Sequence, residues 1–252
     1  MRLANKVAVV TGGGSGFGEG IAKYLAEHGA AIMVADINMD GAQRVAQTIV
    51  DAGGQATAVQ VDVSQNDSMQ ALVATTQQTY GKLDIFVNNA GICHKNGPLL
   101  SVDEATFDRV FAVNVKSLYL SARHVVPVFR QQGGGVFLNI ASTAGVRPRP
   151  GLAWYNGTKG ASITITKSMA AELAPENIRV NAINPVAGDT PMLQQFLPGE
   201  DTPETRQKFI NTIPMGRFSQ PLDIARAALF LVSEEAAFIT GVCLEVDGGR
   251  CI

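Results

Sequence analysis

Short apolar runs rich in β-branched residues alternate along the chain with longer stretches whose apolar positions recur every three or four residues. The runs are Val7 to Val10, Ala31 to Ala35, Ala56 to Val61, Leu83 to Val87, Gly135 to Ile140, Arg179 to Asn184 and Val242 to Val246. Each has the length and composition of a strand. The periodic stretches predict helices: one carrying Ile21, Ala22, Leu25 and Ala26, then 40–52, 66–80, 102–130, a long helix from Gly151, and 221–232. Strands alternating with helices imply a parallel sheet covered on both faces, an α/β doubly wound architecture. Residues 186–215 break the alternation with prolines at 191, 198, 203 and 214. A segment of that length in a compact chain predicts a cover over the substrate site. With no repeat, low-complexity tract or linker, 1–252 is expected to form one domain.

Ligands of such sheets bind beyond the C-terminal ends of the strands, so candidate chemistry belongs at those ends. The first strand runs into Thr11-Gly12-Gly13-Gly14-Ser15-Gly16-Phe17-Gly18, and a helix follows. Backbone N–H groups and a helix N-terminus then converge where a pyrophosphate can lie. The second strand ends in Asp36, about twenty residues on, where a carboxylate accepts hydrogen bonds from ribose hydroxyls. Its charge would repel a 2′-phosphate, and no Arg or Lys stands at Ser15, Ile37 or Asn38 to bind one, so NAD(H) is expected over NADP(H). Asp62-Val63 and Asn88-Asn89-Ala90-Gly91 lie at two further strand ends, Ser142 at another. Tyr155 and Lys159 are four apart on the long helix, hence on one face, where an ammonium can stabilise a phenolate and make the pair a proton-transfer device.

Composition narrows the partners. Hydrophobic residues are 46% and charged residues 17%, with a formal net charge of -2, which gives no footprint for nucleic acid or an anionic membrane. The apolar runs are too short for a membrane span. Cys93, Cys243 and Cys251 and the three histidines form no metal-ligand spacing, so no metal is expected, and the scattered free thiols point to the cytoplasm.

Taken in order, Thr11-Gly12-x-x-x-Gly16-x-Gly18, Asp62, Asn88-Asn89-Ala90-Gly91, Asn114, Ser142, Tyr155-x-x-x-Lys159, and Asn184-Pro185 with Thr190 resemble the short-chain dehydrogenase/reductase family over the whole chain. The resemblance implies a Rossmann domain with a seven-stranded parallel sheet, commonly assembled as a tetramer. It also implies NAD-dependent interconversion of an alcohol and a carbonyl. Tyr155 would be the general acid/base, Lys159 would lower its pKa and hold the nicotinamide ribose, Ser142 would orient the substrate oxygen, and Asn114 would support a water relay. Gly12, Ser15, Gly16, Phe17, Gly18, Asp36, Ile37, Asp62, Val63, Asn89, Ala90, Gly91, Pro185 and Thr190 would contact the cofactor. One departure is Val186, where the family commonly has glycine; a β-branched residue cannot take positive φ there.

The substrate is less constrained. His94 and Lys95 after the fourth strand, and Arg147 and Arg149 after Ser142, are expected at the crevice mouth, where they would suit an anionic group. The other reading of these four is solvated surface charge. Runs such as Gly145-Val146-Arg147-Pro148 and Thr190-Pro191-Met192 are similar to the family branch of 4-(hydroxymethyl)benzenesulfonate dehydrogenases, which act on an aryl alcohol bearing an anion. Trp154 and Phe196 would then contact the ring. A 3-oxoacyl thioester reductase, a sugar or polyol dehydrogenase, and a non-catalytic NAD(H) sensor are the alternatives.

Overall fold

The computed structural model describes residues 1–252. Its strands are β1 (Val7–Thr11), β2 (Ala31–Asp36), β3 (Gln55–Gln60), β4 (Ile85–Asn88), β5 (Gly135–Ile140), β6 (Ile178–Pro185) and β7 (Cys243–Val246). They form a seven-stranded parallel sheet in the order β3-β2-β1-β4-β5-β6-β7. The helices are α1 (Gly16–Glu27), α2 (Met39–Asp51), α3 (Asn66–Tyr80), α4 (Glu104–Phe111), α5 (Ser117–Gln132), α6 (Ala153–Leu173), α7 (Leu193–Phe196), α8 (Pro203–Ile210) and α9 (Pro221–Val232).

Successive strand residues point to opposite faces, and the core divides accordingly. Ala8, Val10, Ile32 and Val34 pack under α1, α2 and α9 through Ile21, Leu25, Val45, Ile49 and Leu229. Val9, Met33, Phe86, Phe137 and Val180 pack under α3, α5 and α6 through Leu72, Val125, Phe129 and Leu173. After β3 the chain returns to the middle of the sheet, so β1 and β4 are neighbours whose following loops diverge. That reversal opens a crevice at their C-terminal ends.

The loops there are stapled. Thr11 Oγ1 donates to the Val87 carbonyl and accepts the N–H groups of Asn89 and Ala90. Asn89 Nδ2 in turn donates to the carbonyls of Thr11 and Gly12, at 2.8 and 3.1 Å. A Cβ on Gly12 would come within 2.9 Å of Ala90 Cα, so the approach of the two loops requires glycine.

Residues 186–215 carry α7 and α8. They build a third apolar cluster in which Val186, Leu193, Phe196, Phe209 and Phe218 pack with Leu152 and Tyr155. Val186 does not adopt positive φ; it is buried at the end of β6, with its N–H on the Val246 carbonyl. The glycine that matters there is Gly188, where a Cβ would meet the Phe17 ring at 2.4 Å.

Candidate active site

One cavity of about 630 Å³ runs along the C-terminal ends of the strands, from Asp36 to Arg250. At the Asp36 end, Ser15 is the N-cap of α1 with its side chain making no capping bond, so the hydroxyl and the helix N-terminus both face the cavity. Gly12 and Gly16 have positive φ and line the same wall. Gly18 does not reach the cavity. It lets α1 start against the loop, since a Cβ there would sit 2.0 Å from the Gly12 carbonyl oxygen.

Asp36 accepts the N–H groups of Gly14 and Asn38, one on each oxygen at 2.9 Å, and keeps lone pairs towards the cavity. Beneath the loop is an arginine that the sequence reading missed. Arg44 on α2 donates to the Gly14 carbonyl at 2.8 Å and to both oxygens of Glu19. Glu19 also accepts from Lys23, and its carboxyl is lowered to about 2, chiefly by Arg44. Asp62 lines the cavity beside Val63; burial opposes its ionisation, but Ser64 and Arg109 outweigh it and hold the carboxyl below its usual range.

In the middle of the cavity the proton-transfer candidates meet. Tyr155 and Lys159 both lie on the buried face of α6, with Lys159 Nζ 5.8 Å from the Tyr155 ring centre. Burial raises the Tyr155 phenol and the Cys93 thiol beside it adds to the rise, whereas Ser142 and Arg149 act in the opposite direction. Ser142 Oγ accepts the Ala144 N–H, which leaves its own proton free for a partner in the cavity. Lys159 Nζ donates to the Ile140 carbonyl at 2.9 Å and finds no second acceptor; burial lowers it from 10.5 to about 8.

Asn114 lies behind this group, outside the cavity, in a π-helical turn at Ala112–Lys116 between α4 and α5. Its amide is paired with Ile92 in both directions, accepting N–H at 2.9 Å and donating to the carbonyl at 2.8 Å, and it also donates to Thr158 Oγ1. Gly91 leaves the space between Asn114 and Lys159, where a Cβ would be 3.4 and 3.5 Å from them. A buried polar rail continues down α6. Thr158, Ser162 and Thr166 donate to carbonyls in the preceding turn, Thr166 accepts from Asn139, and Asn139 accepts from Asn88.

The substrate end is apolar, with Phe196 5.3 Å from the Tyr155 ring and Val186, Met192 and Phe209 alongside. Two expected basic residues lie elsewhere. His94 is buried against the start of α6, with Nε2 3.5 Å from the Tyr155 N–H and Nδ1 at the Lys95 carbonyl, and neither His94 nor Lys95 lines the cavity. Trp154 also turns away, edge-on to Phe107 at 5.3 Å, because Tyr155 and not its neighbour takes the inner face of α6. Arg147 and Arg149 do border the cavity, joined by Arg250 from the chain's end. Cys93 and Arg250 were not singled out from sequence; Cys93 is adjacent to the expected Asn-Asn-Ala-Gly turn, whereas nothing local marks Arg250. Pro185 and Thr190 line the opposite wall, with Thr190 against Gly16.

A sheet reversal with a glycine cradle at one end and a buried Tyr-Lys pair facing a serine at the other defines an oxidoreductase of the Rossmann type, and the chain belongs to the short-chain dehydrogenase/reductase family. The family model that matches, over residues 12–250, is described as enoyl-(acyl carrier protein) reductase. The chain is similar to 4-formylbenzenesulfonate dehydrogenase of Comamonas testosteroni, 52% identical over 100% of both chains. Among solved structures it resembles 3-ketoacyl-(acyl-carrier-protein) reductase from Brucella melitensis complexed with NADH: TM-score 0.93, 49% identity, 99% of this chain and 100% of the other. It also resembles a 7α-hydroxysteroid dehydrogenase complexed with NADH and 7-oxo glycochenodeoxycholic acid, with TM-score 0.92, 39% identity, and 98% and 95% covered.

Proposed function

We propose that this protein is an NAD(H)-dependent dehydrogenase that interconverts an alcohol and a carbonyl on a small aryl substrate carrying an anionic group. The observation that carries the reading is the placement of Tyr155, Ser142 and Lys159 in one cavity between a dinucleotide-sized glycine cradle and an aromatic pocket. The similarity to 4-formylbenzenesulfonate dehydrogenase supports the aryl anion.

The residues fit the dinucleotide. The free N-terminus of α1 suits its pyrophosphate, the Asp36 carboxylate a ribose diol, and the unpartnered N–H groups of buried Lys159 a second diol. When bound, the nicotinamide supplies the acceptor or donor of hydride. The chain supplies the proton. Tyr155 exchanges it with the substrate oxygen, and Ser142 orients that oxygen with its free O–H. Ligand oxygens at Lys159 would offset its burial and hold its charge, and a charged Lys159 one turn from Tyr155 favours the phenolate. Asn114 acts behind them by fixing Ile92 and Thr158. Residues 186–215 would cover the substrate, closing the site against water.

A single catalytic domain over 1–252, a homotetramer and a cytoplasmic setting belong to the same reading. The exposed Leu100, Tyr119 and Phe238 are surface that a partner subunit would bury. No helix is long and apolar enough to cross a membrane.

The test is Tyr155→Phe. NAD+ reduction by 4-(hydroxymethyl)benzenesulfonate should fall at least about 1,000-fold, within the range expected for loss of a positioned acid/base, while NADH binding followed by fluorescence stays within about threefold. Substantial residual turnover would assign the proton transfer to another group.

A further inference from the structure

The cavity's charges are unevenly paired. Its carboxylates, Asp36 and Asp62, lie with the glycine cradle, where Arg109 pairs with Asp62, and beyond Lys159 three arginines, Arg147, Arg149 and Arg250, lie at the other end. None of the three takes part in any of the chain's ion pairs. Uncompensated cations bordering an apolar pocket are costly to desolvate, and each has a different use for its donors.

Arg147 is already engaged. It donates to the carbonyls of Arg250 and Ile252, at 2.7 and 3.4 Å, while Asp247 accepts the N–H groups of Gly249 and Cys251. Between them they fix the turn that brings Arg250 to the cavity.

Arg149 is held by its neighbours rather than by an acid. Its guanidinium lies 4.2 Å from the centre of the Phe209 ring on α8, and its carbonyl accepts from Asn156, the residue after Tyr155. Stacking on a ring orients the guanidinium plane and leaves its edge N–H groups available for an oxyanion. Burial, and then Arg250, lower Arg149 from 12.5 to about 10, the mark of two cations sharing one region without a counter-charge.

We infer that Arg149, braced on Phe209 with the charge of Arg250 bordering the same cavity, is the receptor for the substrate's anionic group, with Arg149 the specificity-determining residue. The inference rests on the aryl-anion reading above and names the residues that execute it. An oxyanion between the two guanidiniums receives paired hydrogen bonds and relieves their repulsion, while the ring to which it is attached lies among Phe196, Val186 and Met192.

A second consequence is electrostatic. The groups acting on the Tyr155 phenol are Cys93, Ser142 and Arg149, with Lys159 one turn away and Arg250 acting on Arg149. Arg149 favours the phenolate, so an anion seated on Arg149 weakens that help and raises the pH at which Tyr155 loses its proton. The pH dependence of kcat, which reports the substrate-bound enzyme, should therefore lie higher for an anionic alcohol than for benzyl alcohol.

The experiment uses 4-methylbenzenesulfonate, an unreactive aryl anion, as a probe of binding to the NADH-loaded protein, beside turnover of 4-(hydroxymethyl)benzenesulfonate and benzyl alcohol. Arg149→Met should weaken probe binding roughly 10- to 100-fold, as loss of a paired charge-assisted bond does, and Arg250→Met by a smaller factor. The loss of kcat/KM should be at least about tenfold greater for the sulfonate than for benzyl alcohol, and the kcat–pH curve for benzyl alcohol should itself move to higher pH in Arg149→Met. Unchanged NADH affinity and Tm certify that the variants are folded. Probe binding that is lost in Arg149→Met, in a protein that turns over neither alcohol, would sustain the receptor and overturn the dehydrogenase reading of its substrate. Probe binding equal in wild type, Arg149→Met and Arg250→Met would overturn the receptor.

Discussion

On the proposed reading, Asp36 would join cofactor choice to loop shape in one side chain. One oxygen holds Gly14 and the other Asn38, so the carboxylate proposed to face a ribose also fixes the glycine loop. Asp36→Asn keeps a similar volume and one acceptor while removing the charge. It should weaken NAD+ about tenfold and narrow the preference for NAD+ over NADP+, compared as kcat/KM ratios. An unchanged ratio would move the discrimination elsewhere, with Arg44, held by Glu19 under the same loop, as the next residue to vary. Residues whose placement follows from spacing were legible in the sequence: Tyr155 and Lys159 share a helix face whatever surrounds them. His94 and Lys95 were not, because a loop side chain follows a path set by distant contacts, here those that turn the imidazole towards the start of α6. Arg250 was illegible for the same reason, since Asp247 and Arg147 bring it to the cavity.

Helix boundaries followed the apolar periodicity closely, with 66–80 and 221–232 as expected. The stretch 102–130 resolved instead into α4, a π-helical turn and α5. A π-helical turn leaves no periodic trace in sequence and depends on tertiary partners, here the two-way pairing of Asn114 with Ile92. Between α1 and α2, Glu19 grips Arg44 and Lys23, and Arg44 grips the glycine loop. Because the Glu19 carboxyl is lowered from 4.5 to about 2, its stabilisation is complete above pH 4.5 and is lost as the pH falls through about 2. Glu19→Gln should therefore lower Tm at pH 7 by about 2–4 °C, the scale of a partly screened ion pair worth about 1 kcal/mol in a chain of this length. The gap to wild type should close steadily below pH 4.5. A gap independent of pH would mean that Glu19 acts through packing alone.

At the scale of the molecule, the parallel order of the sheet determines where everything else can be. Strands buried on both faces, as β1 and β4 are, require cover on both sides, which the alternating pattern announced, and the crevice at the β1/β4 reversal follows from the topology. What the pattern could not announce is the third apolar cluster, because Phe196, Phe209 and Phe218 come from a segment without strand or helix period. Their burial depends on tertiary partners: Phe196 packs on Tyr155, and Phe209 on Phe218.

The hydroxyl rail along α6 gives these two parts of the site different lifetimes. Thr158, Ser162 and Thr166 tie α6 to itself, and Asn139 and Asn88 tie it to the centre of the sheet, so its amides open only when the sheet does. Residues 186–215 hold two short helices by side chains that can part without breaking the sheet. In deuterium oxide, α6 and β5 should be the last amides to label and 198–212 among the first, with NADH slowing the second group more than the first. Comparable labelling of the two would mean that the cover is as firmly built as the core. With that order of labelling, the phenol proposed to transfer the proton would be carried by the part of the chain slowest to meet solvent and the proposed door over it by the part quickest to do so, so that the site could admit and release substrate while its acid/base chemistry stayed in register.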